Sequence, residues 1–487
     1  MKTKRICKFM AILFALAAVA GCFAACSEQG DEPRSSYTIT AQVDARQMSV
    51  SALCEIEYVN RTEVELTEVW FHLYPAAYRD GARYTPVSAA EVEGAYPHGV
   101  SYGGIEINGV TGGEYEIGGL DEDILIVKLP ESIMPTESVR ITVDYKLKLP
   151  NMRHRFGYCD DKINLGNWFP IECAYEGGFA SAPYYSNGDP FNLPVCDYNV
   201  TIIAPKEYTV AMPGESSRTE EQEQGTARTV CKLDNARDFA AVLGKFQTAT
   251  ANANGVEVTY YYTFDDKAEE HLKAACDALN YFSGAFGAYP YKTYSVVQTP
   301  FNQGGMEYTG LVYISDAARD KMITEVIVHE TAHQWWYGIV GNDQVADAWL
   351  DEALAEYSTS LFYKNHADYG VKYEDRIADA MGGFSLYCEL SKCSDTSMNR
   401  SLADFANASE YTYMTYVKGQ LMYDTLLHML GEKTLVGGLE NYVSKCGFTT
   451  AKPDNLIACL EETSGRNLKS LMTSYIDGTA KLYSIGG

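Results

Sequence analysis

Basic residues are scarce in this 487-residue chain: 39 Lys and Arg stand against 65 Asp and Glu, for a formal net charge of −26. A protein that coats nucleic acid needs a basic face, and so does one that docks electrostatically on an anionic membrane; this balance argues against both. The acidity itself reads as solubility. Gly (40) and Pro (16) are too few for a collagenous or low-complexity chain. The 13 cysteines include no C-x-x-C pair, so zinc ribbons and thioredoxin-like redox motifs find no support. There is no G-x-x-x-x-G-K-[ST] phosphate loop and no G-x-S-x-G nucleophile elbow. No apolar run reaches the roughly 18 residues that would span a bilayer. What remains is ordinary packed protein, 46% hydrophobic and 21% charged. On a prior of about 150 residues per domain, it is long enough for two or three domains.

The first residues are expected to lie outside the fold. Lys2, Lys4, Arg5 and Lys8 precede an apolar run from Phe9 to Ala20, too short to span a membrane and right for a secretory leader. Val19-Ala20-Gly21-Cys22 resembles the lipobox of bacterial lipoproteins, in which small residues flank the cut and the cysteine thiol takes the lipid. Phe23-Ala24-Ala25-Cys26 is a second candidate, and an ordinary cleaved signal is the remaining alternative. The reading is a signal peptide over 1–21, a polar tether over 22–36, and a protein exported and lipid-anchored through Cys22 to the outer face of a bacterial membrane. Ten cysteines remain in the body of the chain. Export permits disulfides among them, but their connectivity cannot be read from spacing, and isolated buried thiols stay open.

Residues 37–248 alternate with period two: YTITAQVDA, EIEYVN, VELTEVWFHLY, DILIVKLP, SVRITVDYKLKL and DYNVTIIAP read as strands between turn signals. GGIEINGVTGGEYEIGGL has glycines where tight hairpins need them. ESSRTEEQEQG (215–225) reads as a charged loop. Many short strands predict a sandwich-like sheet domain. Over 249–487 the apolar period becomes helical, as in AEEHLKAACDALNYFSGAF, MITEVIVHETAHQWWYGIV and AWLDEALAEYSTSLFYKNH, with strands YSVVQTP and GLVYIS between them. That half reads as mixed α/β and then α.

The strongest signal is His329-Glu330-Thr331-Ala332-His333. On a helix, residues i and i+4 lie one turn apart on one face, so two imidazoles can reach one metal at about 2.0–2.1 Å. Glu330 then stands beside a metal-bound water, where a general base belongs. A catalytic zinc also needs a third protein ligand and an open position. The metzincin pattern fails, because Trp336 and Ile339 stand where its Gly and third His would be. Glu352 follows after 18 intervening residues, enough to end one helix, turn and bring a second alongside. Asp347 is expected to cap that second helix. Glu356, one turn on, reads either as support for a ligand histidine or as a surface ion-pair partner.

HETAHQWWYG followed by VADAWLDEALAEY resembles the membrane alanyl aminopeptidase family of zinc peptidases, the gluzincin group, over about residues 37–480. The family pattern H-E-x-x-H, 18 residues, E falls on His329, His333 and Glu352 as ligands of one zinc and on Glu330 as base. Gly304-Gly305-Met306-Glu307 resembles the substrate-binding motif Gly-x-Met-Glu-Asn, whose Glu binds the free α-amine. Tyr416-Val417-Lys418-Gly419 matches Tyr-x-Lys-Gly, whose Tyr serves the oxyanion; Tyr411 is the next candidate. The resemblance implies a saddle-like β-sandwich domain, then a thermolysin-like zinc-peptidase domain, acting as an aminopeptidase on peptides. A related zinc endopeptidase and a catalytically silent surface-binding lipoprotein are the alternatives. The sequence departs from the family at Tyr308, which replaces Asn, and at Ala353, which replaces Gly after the ligand Glu. It also ends before the large helical C-terminal domain of longer members, which points away from a deep closed cavity. For a second amine contact from the N-terminal half, Glu172 and Glu176 are the guesses. Oligomeric state is not legible.

Overall fold

The computed structural model describes residues 33–221 and 225–482. The expected signal peptide, Cys22, Cys26 and most of the expected tether lie outside them.

Alternation does its expected work in the first half. Strand Ser36–Asp44 buries every second residue, among them Tyr37, Ile39, Ala41 and Val43, and Ser49–Val59 does the same. These two sit near the middle of a seven-stranded sheet. Its order is Glu215–Glu221, Thr226–Ala236, Cys196–Pro205, Ser36–Asp44, Ser49–Val59, Ser138–Lys148 and Gly104–Thr111. Only the pairing of Ser36–Asp44 with Cys196–Pro205 is parallel. Two four-stranded sheets complete the β-rich half, and one apolar core runs beneath them.

Two local expectations are corrected. Residues 215–221 are a strand rather than a loop: Glu215 to Glu221 pair with Lys232 to Thr226 at the sheet edge, where charged side chains stay in water and discourage further pairing. The Gly112-Gly113 turn does not close a hairpin. The strand before it, Gly104–Thr111, pairs in the large sheet, whereas Glu114–Gly118 pairs with Ile124–Ile133 in another. The glycines carry the chain from one layer to the next.

The second half opens on a five-stranded mixed sheet whose first strand, Gln247–Ala253, lies at one edge and whose short strand Gly305–Met306 lies at the other. Helix α1 (Ala268–Phe286) covers it, burying Leu272, Ala275, Leu279, Phe282 and Phe286 at three- and four-residue spacing. Helix α2 (Lys321–Ala332) and helix α3 (Trp349–Asn365) follow, then a run of helices that includes α4 (Lys418–Leu430). A second apolar core joins sheet and helices, with Trp335, Trp336 and Trp349 fully buried. Helix α2 is shorter than the apolar period suggested. It ends at Ala332, with His333 as its C-cap, and the chain then turns sharply through residues 333–340. Among the described residues, no helix is long and apolar enough to cross a membrane.

Candidate metal centre and active site

The end of α2 and the start of α3 bring the three expected ligands together. His329 Nε2 and His333 Nε2 lie 3.1 Å apart. Glu352 Oε2 lies 3.5 Å from the first and 3.2 Å from the second. The other nitrogen of each ring is already engaged. His333 Nδ1 donates to the Trp336 carbonyl at 2.9 Å, and His329 Nδ1 faces Glu356 Oε2 at 3.4 Å. Both Nε2 lone pairs and one carboxylate oxygen therefore converge on a single point, and only a cation satisfies all three. The electrostatics agree. Burial lowers the affinity of His329 for a proton, yet hydrogen bonds that its ring donates to Glu352 and Glu356 more than reverse this and hold its pKa at about 10. Burial raises Glu352, but the neighbouring imidazoles bring it down to about 2. Two N donors and one O donor with this spacing suit Zn²⁺.

Glu356 is thus the expected support of a ligand histidine and also an ion-pair partner, receiving Arg376 Nη2 at 2.8 Å. Asp347 does not cap α3: the N-cap is Ala348, with no side-chain cap.

Glu330 is buried beside this point. Its Oε2 has no hydrogen-bond partner among the described residues, and burial raises its pKa to about 7. Gly305 must be glycine here, because a Cβ on it would lie 2.4 Å from Glu330 Oε1. Gly304 lines the cleft, while the Met306 side chain packs into the first core and its sulfur accepts from Arg155 Nε at 3.0 Å. Glu307 follows on the same edge, 3% exposed, and one of its oxygens lies within 4.8 Å of donor atoms of Glu330 and His333. Tyr308 points away from the cleft. Its hydroxyl donates to Asn167 Oδ1 at 3.1 Å and its ring packs on Tyr313, so the replacement of Asn puts no phenol into the site.

Tyr416 arrives on a turn of π-helix, 413–417, that precedes α4. Its hydroxyl donates to Glu352 Oε1, and Tyr411 donates to the same oxygen at 3.4 Å. The Tyr416 ring lies parallel to that of His329, 5.8 Å away. Ala353 and Gly419 explain each other: a Cβ on Gly419 would fall 2.2 Å from that of Ala353.

Neither guessed carboxylate reaches the cleft. Glu172 is buried against Arg61, and Glu176 pairs with Lys452 at 2.6 Å on the surface. The β-rich half instead sends Asp189 and Arg155, a buried ion pair that lines a cleft of about 420 Å³ with Glu330, His329, Tyr411 and Tyr416. Two further buried residues, Gln344 and Asp351, stand behind Glu307 and Glu352. Nothing in their sequence context marks these four. Asn187-Gly188-Asp189-Pro190 reads as a turn, and Gln344 lies in the loop that joins α2 to α3.

Comparison with known proteins fits this geometry. Residues 270–475 match the peptidase family M1 domain. Aminopeptidase M1-A of Oryza sativa subsp. japonica is 25% identical over 419 residues, 81% of this chain and 46% of its own length. Aminopeptidase N of Streptomyces lividans is 27% identical over 229 residues, 43% of this chain and 26% of its own. The chain thus spans less than half the length of these relatives. An M1 zinc metallopeptidase from Deinococcus radiodurans has the same fold, with a TM-score of 0.66, 16% identity, and 93% and 95% of the two chains covered.

Proposed function

We propose that this chain, whose residues 270–475 match the peptidase family M1 domain, is a zinc-dependent aminopeptidase that removes single residues from the free N-termini of peptides. The observation that carries the reading is the convergence of His329, His333 and Glu352 on one point, with the buried Glu307 carboxylate beside it. His329, His333 and Glu352 would hold one zinc per chain. When bound, that ion supplies a Lewis acid that polarises the scissile carbonyl and brings the pKa of a water to about 7.

The chain's own groups do the rest. Glu330, with its free Oε2, takes the water's proton and returns it to the leaving amine. Tyr416 exchanges its bond to Glu352 for one to the carbonyl oxygen as that oxygen gains charge. Glu307 pairs with the α-ammonium and so sets the cut one residue from the N-terminus. Arg155 is held by Asp189 in the cleft wall and keeps the Met306 strand in place.

Unblocked short peptides should lose residues one at a time, as read by mass spectrometry, and a chelator should stop the reaction. Internal cuts in long peptides would make the protein an endopeptidase instead. The division into 37–248 and 249–487 as β-rich and catalytic domains, and lipid anchoring through Cys22 on the outer face of a bacterial membrane, complete the proposal. Both rest on sequence pattern. The Cys22→Ala protein should appear in the soluble fraction; release by Cys26→Ala alone would move the anchor to Cys26.

A further inference from the structure

Glu307 has an unusual neighbourhood for a carboxylate that must stay ready for a cation. It is 3% exposed, and one of its oxygens lies within 4.8 Å of donor atoms of Glu330 and His333. The one hydrogen bond on its side chain among the described residues comes from Gln344, whose Nε2 donates to Glu307 Oε1 at 3.0 Å. The same Nε2 donates to Asp351 Oδ2 at 2.7 Å. A primary amide has two N–H groups, and here each is spent on a buried carboxylate. Turning the amide over would set its oxygen against both carboxylates, so charge fixes the orientation.

Gln344 is itself pinned. It is 2% exposed, and its backbone N–H donates to the Phe191 carbonyl at 3.0 Å. Asp351 also accepts from Asn342 Nδ2 at 3.3 Å and from the Glu352 N–H at 3.0 Å. The amide therefore bridges the strand edge that carries Glu307 to the first turn of the helix that carries Glu352.

We infer that Gln344 is a positioning residue for recognition of the substrate's α-ammonium: its amide fixes the Glu307 carboxylate at a set place relative to Glu352, and so sets the one-residue ruler of the reaction. This rests on the aminopeptidase reading. The donor holds Oε1 and leaves Oε2 to meet the ammonium. Without it, the carboxylate is free to turn away from its acidic neighbours, and the anchor loosens although the zinc ligands are untouched.

The test is a double-mutant cycle of Gln344→Leu with Glu307→Ala, on peptides with free and acetylated N-termini, with zinc content and melting temperature measured throughout. Gln344→Leu should raise KM for free peptides with a smaller change in kcat. The loss in kcat/KM should be about tenfold or more, since hydrogen bonds to charged groups are strong ones. Zinc content should stay at the wild-type level. In the Glu307→Ala background, the same substitution should change kcat/KM less than about twofold. Gln344→Asn, which keeps the amide on a shorter stem, should fall between wild type and Gln344→Leu. Equal losses in both backgrounds, or loss of zinc with free-over-acetylated preference intact, would overturn the inference. A wild-type enzyme indifferent to N-acetylation would overturn the aminopeptidase reading and this inference with it. A wild type that discriminates, paired with an unaltered Gln344→Leu enzyme, would overturn the inference alone.

Discussion

At the scale of single residues, the divide between legible and hidden follows sequence distance. His329, Glu330 and His333 lie within one helical turn, so their spacing already fixes their geometry. Glu352 could be placed because 18 residues suffice for a turn between two helices, and Glu307 and Tyr416 because short motifs flank them. Asp189, Arg155, Gln344 and Asp351 could not be placed. Asp189 and Arg155 reach the cleft, and Gln344 reaches Glu307, only through tertiary contact from irregular segments, while Asp351 sits in the first turn of α3 beside Glu352 with nothing local to show that it meets Gln344. The division of labour among the visible residues yields a prediction. Glu330→Gln should keep zinc and the folded state but lose nearly all hydrolysis, because an amide takes no proton from water. Tyr416→Phe should lower kcat by about 10²- to 10³-fold, as for other oxyanion donors, with a smaller change in KM. Steady-state kinetics beside metal analysis checks both, and a Tyr416→Phe enzyme as fast as wild type would shift the role to Tyr411.

At the scale of elements, strands and helices with a clean period were readable to within a few residues. The helix expected at AEEHLKAACDALNYFSGAF spans Ala268–Phe286, and the alternating segments of the first half form strands. Errors came where tertiary pairing overrides local composition. Charge made Glu215–Glu221 look like a loop, but an edge strand tolerates charge on its open side. The apolar run through Trp335 and Trp336 promised a longer helix, but those rings are buried by a chain that turns back on itself after His333. The contact between α3 and α4 is also an element-scale device, since it places Tyr416 against Glu352. Gly419→Ala should force Ala353 and the backbone apart, costing about 1–3 kcal/mol of stability as overpacking usually does. It should lower kcat by displacing Tyr416. Thermal unfolding and kinetics on the same variant check this; an unchanged melting temperature would mean the two helices separate freely.

At the scale of the whole molecule, Arg237 ties distant segments together. It is 2% exposed, and its guanidinium donates to the carbonyls of Tyr337, Leu193, Ile339 and Thr449. Burial lowers its pKa to about 10, so it stays charged at neutral pH. Removing it by Arg237→Met takes this donor from four buried carbonyls, of which those of Ile339 and Thr449 keep a backbone donor, and should cost at least about 1–3 kcal/mol, the usual range for leaving a buried acceptor unsatisfied. Denaturant unfolding should show a lower midpoint; a midpoint within error of wild type would contradict the role. No motif announced this residue, because an arginine that serves only backbone carbonyls leaves no partner in the sequence. The most direct measurement of what the assembled cleft does compares cleavage of one short peptide with a free or an acetylated N-terminus, with and without chelator, by mass spectrometry. The free peptide should release its single N-terminal residue, the acetylated one none, and neither should be cut after chelation. Equal cleavage of the two forms would contradict the aminopeptidase reading.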